Sequence, residues 1–159
     1  MKFAVSNIGL SPKDHRKDFE SLATIGFVGL EVALSRVFSE DWNNPTVAEV
    51  EGYRRDVESA GMNIVGLHSL FWERPEYSFF GDGDVISKTT DFLIKLSSIC
   101  RDLGGKTLIY GSRTARTKGE RSTEEANIET VDFFSQLSHK IEHHGTCFCI
   151  EPLEKQVSD

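Results

Sequence analysis

Three side chains able to move a proton or hold a cation each finish a short apolar run. Glu31 closes Gly26-Phe27-Val28-Gly29-Leu30-Glu31, His68 closes Gly66-Leu67-His68, and Glu151 follows Ile150 and precedes Pro152-Leu153. A carboxylate can take or return a proton or ligate a hard cation, and an imidazole can hydrogen-bond a substrate hydroxyl or bind a metal. The residues alone leave plainer roles open: an acid in solvent for Glu151, a histidine satisfied by backbone carbonyls for His68, and a rim hydrogen bond or the orienting of His68 for Glu31. Phe71 and Trp72 come directly after His68. They could form an aromatic wall beside a ligand and exclude water, or pack their loop onto the following helix. The segment Tyr77-Ser78-Phe79-Phe80-Gly81 could serve as a lid.

Further along, Ser112 and Arg113 open a basic loop. From Gly111 to Arg121, four bases (Arg113, Arg116, Lys118, Arg121) against one acid (Glu120) leave a local charge of +3 in a chain of net charge -7. Guanidiniums there could bind a substrate phosphate or carboxylate bidentately, or be solvated. The pair His143-His144 falls at a helix C-terminus, where the helix dipole favours a cation. Cys100, Cys147 and Cys149 are odd in number and lack CxxC spacing. That spacing argues against a disulfide framework and a zinc site, and predicts Cys147 and Cys149 as buried thiols on one strand face.

Elements that would position these groups are marked by patterning. Apolar runs at Phe3 to Ser6, Val28 to Val32, Asn63 to His68, Thr107 to Tyr110 and Cys147 to Glu151 predict five buried strands. Helical spacing lies between them, as in Phe92, Leu96, Ile99 and Leu103, and in Ile128, Val131, Phe134, Leu137 and Ile141 with Phe133 beside it. Thr46 with Glu49 and Ser122 with Glu125 spell capping boxes, and Ser11-Pro12 suggests a first helix with Pro12 at its first position. Gly26, Gly61, Gly104 and Gly145 stand where left-handed residues would end helices. The order is β-α four times, then β, with no linker or second domain visible, so residues 1–159 read as one domain.

Such alternation demands a mainly parallel sheet with right-handed crossovers, either open and doubly wound or curved into a barrel. Length favours the open sheet, because a full barrel needs about 250 residues. The first strand-helix turn, Ser6-Asn7-Ile8-Gly9-Leu10-Ser11, however, contains no nucleotide-binding glycine loop.

Taken in order, the strand ends at Glu31, His68, Leu103-Gly104-Gly105-Lys106-Thr107-Leu108-Ile109-Tyr110-Gly111-Ser112 and Ile150-Glu151-Pro152-Leu153 resemble the sugar phosphate isomerase/epimerase group of the xylose-isomerase-like superfamily. The resemblance runs from Lys2 to Leu153. It implies an α/β fold made of the first five parallel strands and four helices of a (β/α)8 TIM barrel. It also implies that Glu151 is both a ligand of a divalent metal (Mn, Mg, Co or Zn) and one of two acid-base carboxylates. His68, Glu31, Trp72, Phe71, Ser112 and Arg113 would then contact a sugar or sugar phosphate. In that chemistry a carboxylate removes a proton beside a carbonyl, an enediolate forms, and the metal stabilises it. The family's other ligands come from later strands, so the resemblance implies that this chain does not hold the metal alone. Asparagine is common in the family where Glu154 stands.

Two rival readings differ in class. An endonuclease-IV-like phosphodiesterase would want a histidine where Tyr110-Gly111-Ser112 stands. A non-catalytic binding fragment, completed by another chain or by its own dimer, would expose its edge strands and inner-face residues such as Val5 and Ile64. Overall charge disfavours nucleic acid and anionic membranes. No run approaches a membrane span and no signal peptide is apparent at the N-terminus, which predicts a cytoplasmic protein.

Overall fold

A computed structural model describes residues 1–12, 14–38 and 41–154. Its elements run β1 (Phe3–Ser6), α1 (Arg16–Thr24), β2 (Phe27–Val32), α2 (Val47–Ser59), β3 (Asn63–Leu67), α3 (Gly83–Asp102), β4 (Thr107–Tyr110), α4 (Thr123–Ile141) and β5 (Cys147–Ile150), with short 3-10 turns between some of them. Both capping boxes form: Thr46 and Ser122 accept from the backbone of Glu49 and Glu125, whose carboxylates reach back to the cap N-H groups. Gly26, Gly61, Gly104 and Gly145 all take positive φ, between 68° and 96°, the conformation an L side chain resists.

The first helix departs from expectation. It begins at Arg16, not Pro12, because the Ser11 backbone N-H and hydroxyl both bond the Asp18 carboxylate and Asp14 accepts from the Arg16 N-H. Those bonds hold the preceding loop in a non-helical path; Lys13 itself lies outside the described residues.

The sheet order is β1-β2-β3-β4-β5, each neighbour parallel. Right-handed crossovers between consecutive parallel strands put every helix on the same side, which a doubly wound sheet, with its reversal of strand order, does not do. The core accordingly lies on one face. Leu30, Val32, Ile64, Leu67, Leu108 and Tyr110 from the strands pack with Phe19, Val57, Leu96, Cys100, Phe133 and Leu137 from the helices. The predicted α3 stripe of Phe92, Leu96, Ile99 and Leu103 is buried throughout. In α4 the stripe runs instead through Ala126, Phe133, Leu137 and Ile141, leaving Ile128 58% and Val131 68% exposed.

One register slip decides which side chains of β3 face the opposite, concave side. Leu30 pairs with Ile64 but Glu31 pairs with Gly66, so Val65 is an extra residue in β3. Such a bulge re-aims the chain beyond it. Ile64 and Leu67 can therefore both enter the helix-side core, while Gly66 and then His68 share the face of Glu31. Val5 pairs with buried Leu30 and packs against the same core. The expectation that Val5 and Ile64 lose cover on the inner face is thus corrected: both are paired with buried Leu30 and so face the helices.

Gly66 also permits the close approach of β3 to β4, because a Cβ there would collide with the Thr107 side chain and carbonyl. Among the described residues no helix is long and apolar enough to cross a membrane. We expect Gly66→Ala to destabilise the fold by about 1–3 kcal/mol through overpacking. Gly52→Ala, inside α2 with nothing within 4 Å of the added carbon, should stabilise it by roughly 0.5–1 kcal/mol. Urea midpoints check both, and an unshifted Gly66→Ala midpoint would refute the packing argument.

Candidate functional site

The C-terminal ends of parallel strands are where side chains and loops converge. A cleft of about 370 Å³ lies there, lined by Glu31, His68, Ser69, Leu70, Phe71, Trp72, Ile109, Gly111, Ser112 and Glu151. It holds six of the seven residues singled out from sequence. A larger groove of about 720 Å³ lies between α2 and α3, but its charges are largely paired with one another, as in Arg54 with Glu58 and Arg101 with Asp102.

Glu151 continues the β5 ladder, its N-H bonding the Tyr110 carbonyl at 3.1 Å, while Arg116 donates to its carbonyl at 2.7 Å. Its backbone is therefore held on both sides. The carboxylate lies over Gly111, where any Cβ would collide with it. Gly111, quoted in the sequence motif but given no role, is what leaves room for the acid at the rim.

His68 is half-buried and held at both ring nitrogens: Nε2 pairs with the Ser6 hydroxyl at 2.8 Å and Nδ1 with the Ser69 hydroxyl at 3.0 Å. Ser6 in turn accepts from the Ile8 N-H as it caps the turn after β1. The imidazole is thus set by hydroxyls, and the Ser6 contact joins the first strand end to the third. Burial pushes the His68 pKa down, with Glu31 and then Glu151 opposing. Both carboxylates therefore act electrostatically on this ring. Sequence reasoning missed Ser6 and Ser69. The signal for Ser6 was its place at a strand end, which the search for a glycine loop passed over.

The aromatic residues divide. Trp72 is 55% exposed at the cleft, whereas Phe71 is only 8% exposed and packs against Tyr77, Phe92 and Tyr110. Phe71 chiefly anchors the loop onto α3. Tyr77 stacks on Phe92 with ring centres 4.2 Å apart, Phe79 is buried, and Ser78 bonds Thr89 and the Ala115 carbonyl. This segment is therefore fastened into the core and is not a lid.

Ser112 lines the cleft, but Arg113 is exposed and outside its lining. Arg121 pairs with Glu129 at 2.8 Å and lies over the Phe80 ring. The basic loop thus spends Arg116 and Arg121 on protein contacts, which corrects the picture of a free cluster of guanidiniums. His144 departs from the dipole explanation too: it bonds the Ser97 hydroxyl at 2.7 Å, and burial, then His143, lowers its pKa. Cys147 is exposed and Cys149 half-buried, not a buried pair, since both face the concave side.

Among the described residues no three His, Cys, Asp or Glu side chains are grouped to hold a metal ion. Glu31, His68 and Glu151 share the cleft without forming a ligand set, and both His68 nitrogens are engaged by hydroxyls. The residues present do not fit a complete divalent-metal site, which needs at least three protein ligands for zinc and six to eight oxygens for calcium.

No family model matches the chain. No curated protein matches it in sequence either. Solved structures do. D-psicose 3-epimerase from Clostridium cellulolyticum H10, in complex with D-tagatose, superposes with a TM-score of 0.75 at 15% identity, over 99% of this chain and 54% of that one. The 3-keto-D-glucoside 4-epimerase of E. coli gives 0.73 at 15% identity, over 98% and 57%. An IOLI protein with a bound zinc atom gives 0.69 at 15%, over 94% and 51%. The chain spans about half the length of these structures, and its fold is that of five strands and four helices of a TIM barrel.

Proposed function

We propose that this cleft binds a ketose or related sugar and belongs to a cytoplasmic sugar isomerase or epimerase working by proton transfer through an enediolate. The observation that carries the reading is the convergence of Glu151, Glu31, His68 and exposed Trp72 in one cleft at the strand ends. The structural likeness to sugar epimerases supports the substrate class. Trp72 offers an apolar wall for sugar C-H groups. The neutral His68 ring, fixed by two hydroxyls, offers a hydrogen-bonding group for a substrate hydroxyl or carbonyl. Arg113 lies outside the cleft and Arg116 and Arg121 are engaged, so these three do not distinguish a sugar from a sugar phosphate as its ligand.

In the proposed reaction the Glu151 carboxylate takes the proton from the carbon beside the substrate carbonyl. The C-H electron pair becomes the C=C bond of the enediolate and the carbonyl oxygen takes the negative charge. A second acid then returns a proton, on the opposite face for an epimer or at the neighbouring carbon for an isomer. That acid comes from the remaining strands of a complete barrel or from another chain. The same source would have to furnish the ligands of the divalent metal implied by the resemblance, so no step here is assigned to a metal.

In a version carrying the remaining strands, Glu151→Gln should slow exchange of the substrate C-H with solvent deuterium by a factor of about 10²–10⁴. Exchange at the unaltered rate would overturn the assignment. His68 offers an independent check in the chain as it stands. Its folded pKa is depressed below the ordinary value of 6.5, so the unfolded chain binds the proton more tightly. The stability that His68 contributes is then full above pH 6.5 and falls away as the pH drops below it. NMR titration should place the ring below 6.5, and a value above it would contradict the site geometry.

A further inference from the structure

A second feature of the concave face runs along β5, from its far end towards the cleft. Cys147 is the first residue of β5 and Cys149 the third, so strand alternation turns both thiols to the concave side, beside Thr107 and Ile109 of β4 with which they are paired. Cys147 is exposed and Cys149 half-buried. The two thiols are next neighbours on that face, and burial first, then the Cys147 thiol, pushes the Cys149 pKa up. Cys100 is fully buried, with its thiol directed to the Thr107 carbonyl at 3.6 Å.

Geometry decides what such a pair can do. Residues two apart in a strand have Cα atoms about 6.6 Å apart, from a rise of about 3.3 Å per residue. Their Cβ atoms are separated similarly, well beyond the roughly 3.5–4.5 Å that a disulfide requires. Direct oxidation would therefore have to break the β5 ladder. A bridging atom removes the conflict, since two bonds to sulfur of about 2.3 Å each let the sulfurs stay from roughly 3.5 Å apart at a bent centre to roughly 4.6 Å at a linear one. With no third ligand grouped at the pair among the described residues, a tetrahedral zinc site is disfavoured. A soft centre content with two thiolates fits.

We propose that Cys147 and Cys149 form a dithiol site for a thiophilic centre of low coordination number, such as Cu(I) or a trivalent arsenical. With Cu(I), two Cu-S bonds form and the two S-H protons pass to solvent, with no change in oxidation state. With phenylarsine oxide, two As-S bonds form, the As-O bond breaks, and the oxygen leaves as water with both thiol protons. Cys149 borders the proton-transfer cleft through its partner Ile109, whereas Cys147 lies away from it, and neither thiol is needed for the proton transfer.

The test is titration of the reduced chain with phenylarsine oxide, read by intact mass, and with Cu(I) delivered from a chromogenic chelator. One phenylarsenic group, or one Cu(I), should bind per chain. Cys147→Ser should lose it while remaining folded, because that thiol is exposed; Cys149→Ala serves as the second variant, with circular dichroism confirming its fold. Cys100→Ala should bind as the parent does. Capture retained at the parent level by Cys147→Ser or by folded Cys149→Ala, loss in folded Cys100→Ala, or no capture by the parent chain would each overturn the proposal.

Discussion

Consecutive parallel pairing, with all four helices on one side, is the constraint on which the rest of the structure depends. It gives the sheet two unlike faces. One buries Leu30, Val32, Leu67, Leu108 and Tyr110 against the helices, and the other carries Glu31, His68 and Glu151 at one end and Cys147 at the other. Burial of one face supplies the stabilisation, at roughly 1.5–3 kcal/mol for each large apolar side chain removed from water. The concave face is thereby left to groups that a packed core would not tolerate.

Small residues make that division workable. Val65 as an extra residue in β3 and Gly66 after it allow β3 to lie against Thr107 while sending His68 to the side of Glu31. Gly111 does the same for Glu151. In each case the functional side chain is placed by an absence of bulk next to it. The hydroxyls of Ser6 and Ser69 then hold the imidazole, and Arg116 holds the backbone of Glu151. Chemistry at the rim therefore draws on all of β1 through β5 except the helix-facing half of each strand.

The aromatic layer explains why the rim loops are firm. Phe71, Tyr77, Phe79, Phe92, Phe133 and Phe134 surround Tyr110 or one another at centroid distances between 4.2 and 6.4 Å. Edge and offset contacts of this kind add to simple area burial. They leave Trp72, next in sequence to Phe71, as the exposed aromatic of the cleft.

What the sequence by itself determined was local: five strands, four main helices, two capping boxes, four left-handed glycines, and strand ends carrying Glu31, His68 and Glu151. Each depends on residues within a few positions of one another, so periodicity and capping chemistry suffice to read them. Only the tertiary structure decided the register. A single extra residue inverts which side chains face the core, and nothing local in Ile64-Val65-Gly66 announces it. The same holds for Ser6 meeting His68 across 62 residues, for Phe71 and Phe79 turning inward, and for the basic loop spending its charge on Glu129 and the Glu151 carbonyl. Those outcomes depend on which partners the fold brings into contact, and that information is distributed over the whole chain.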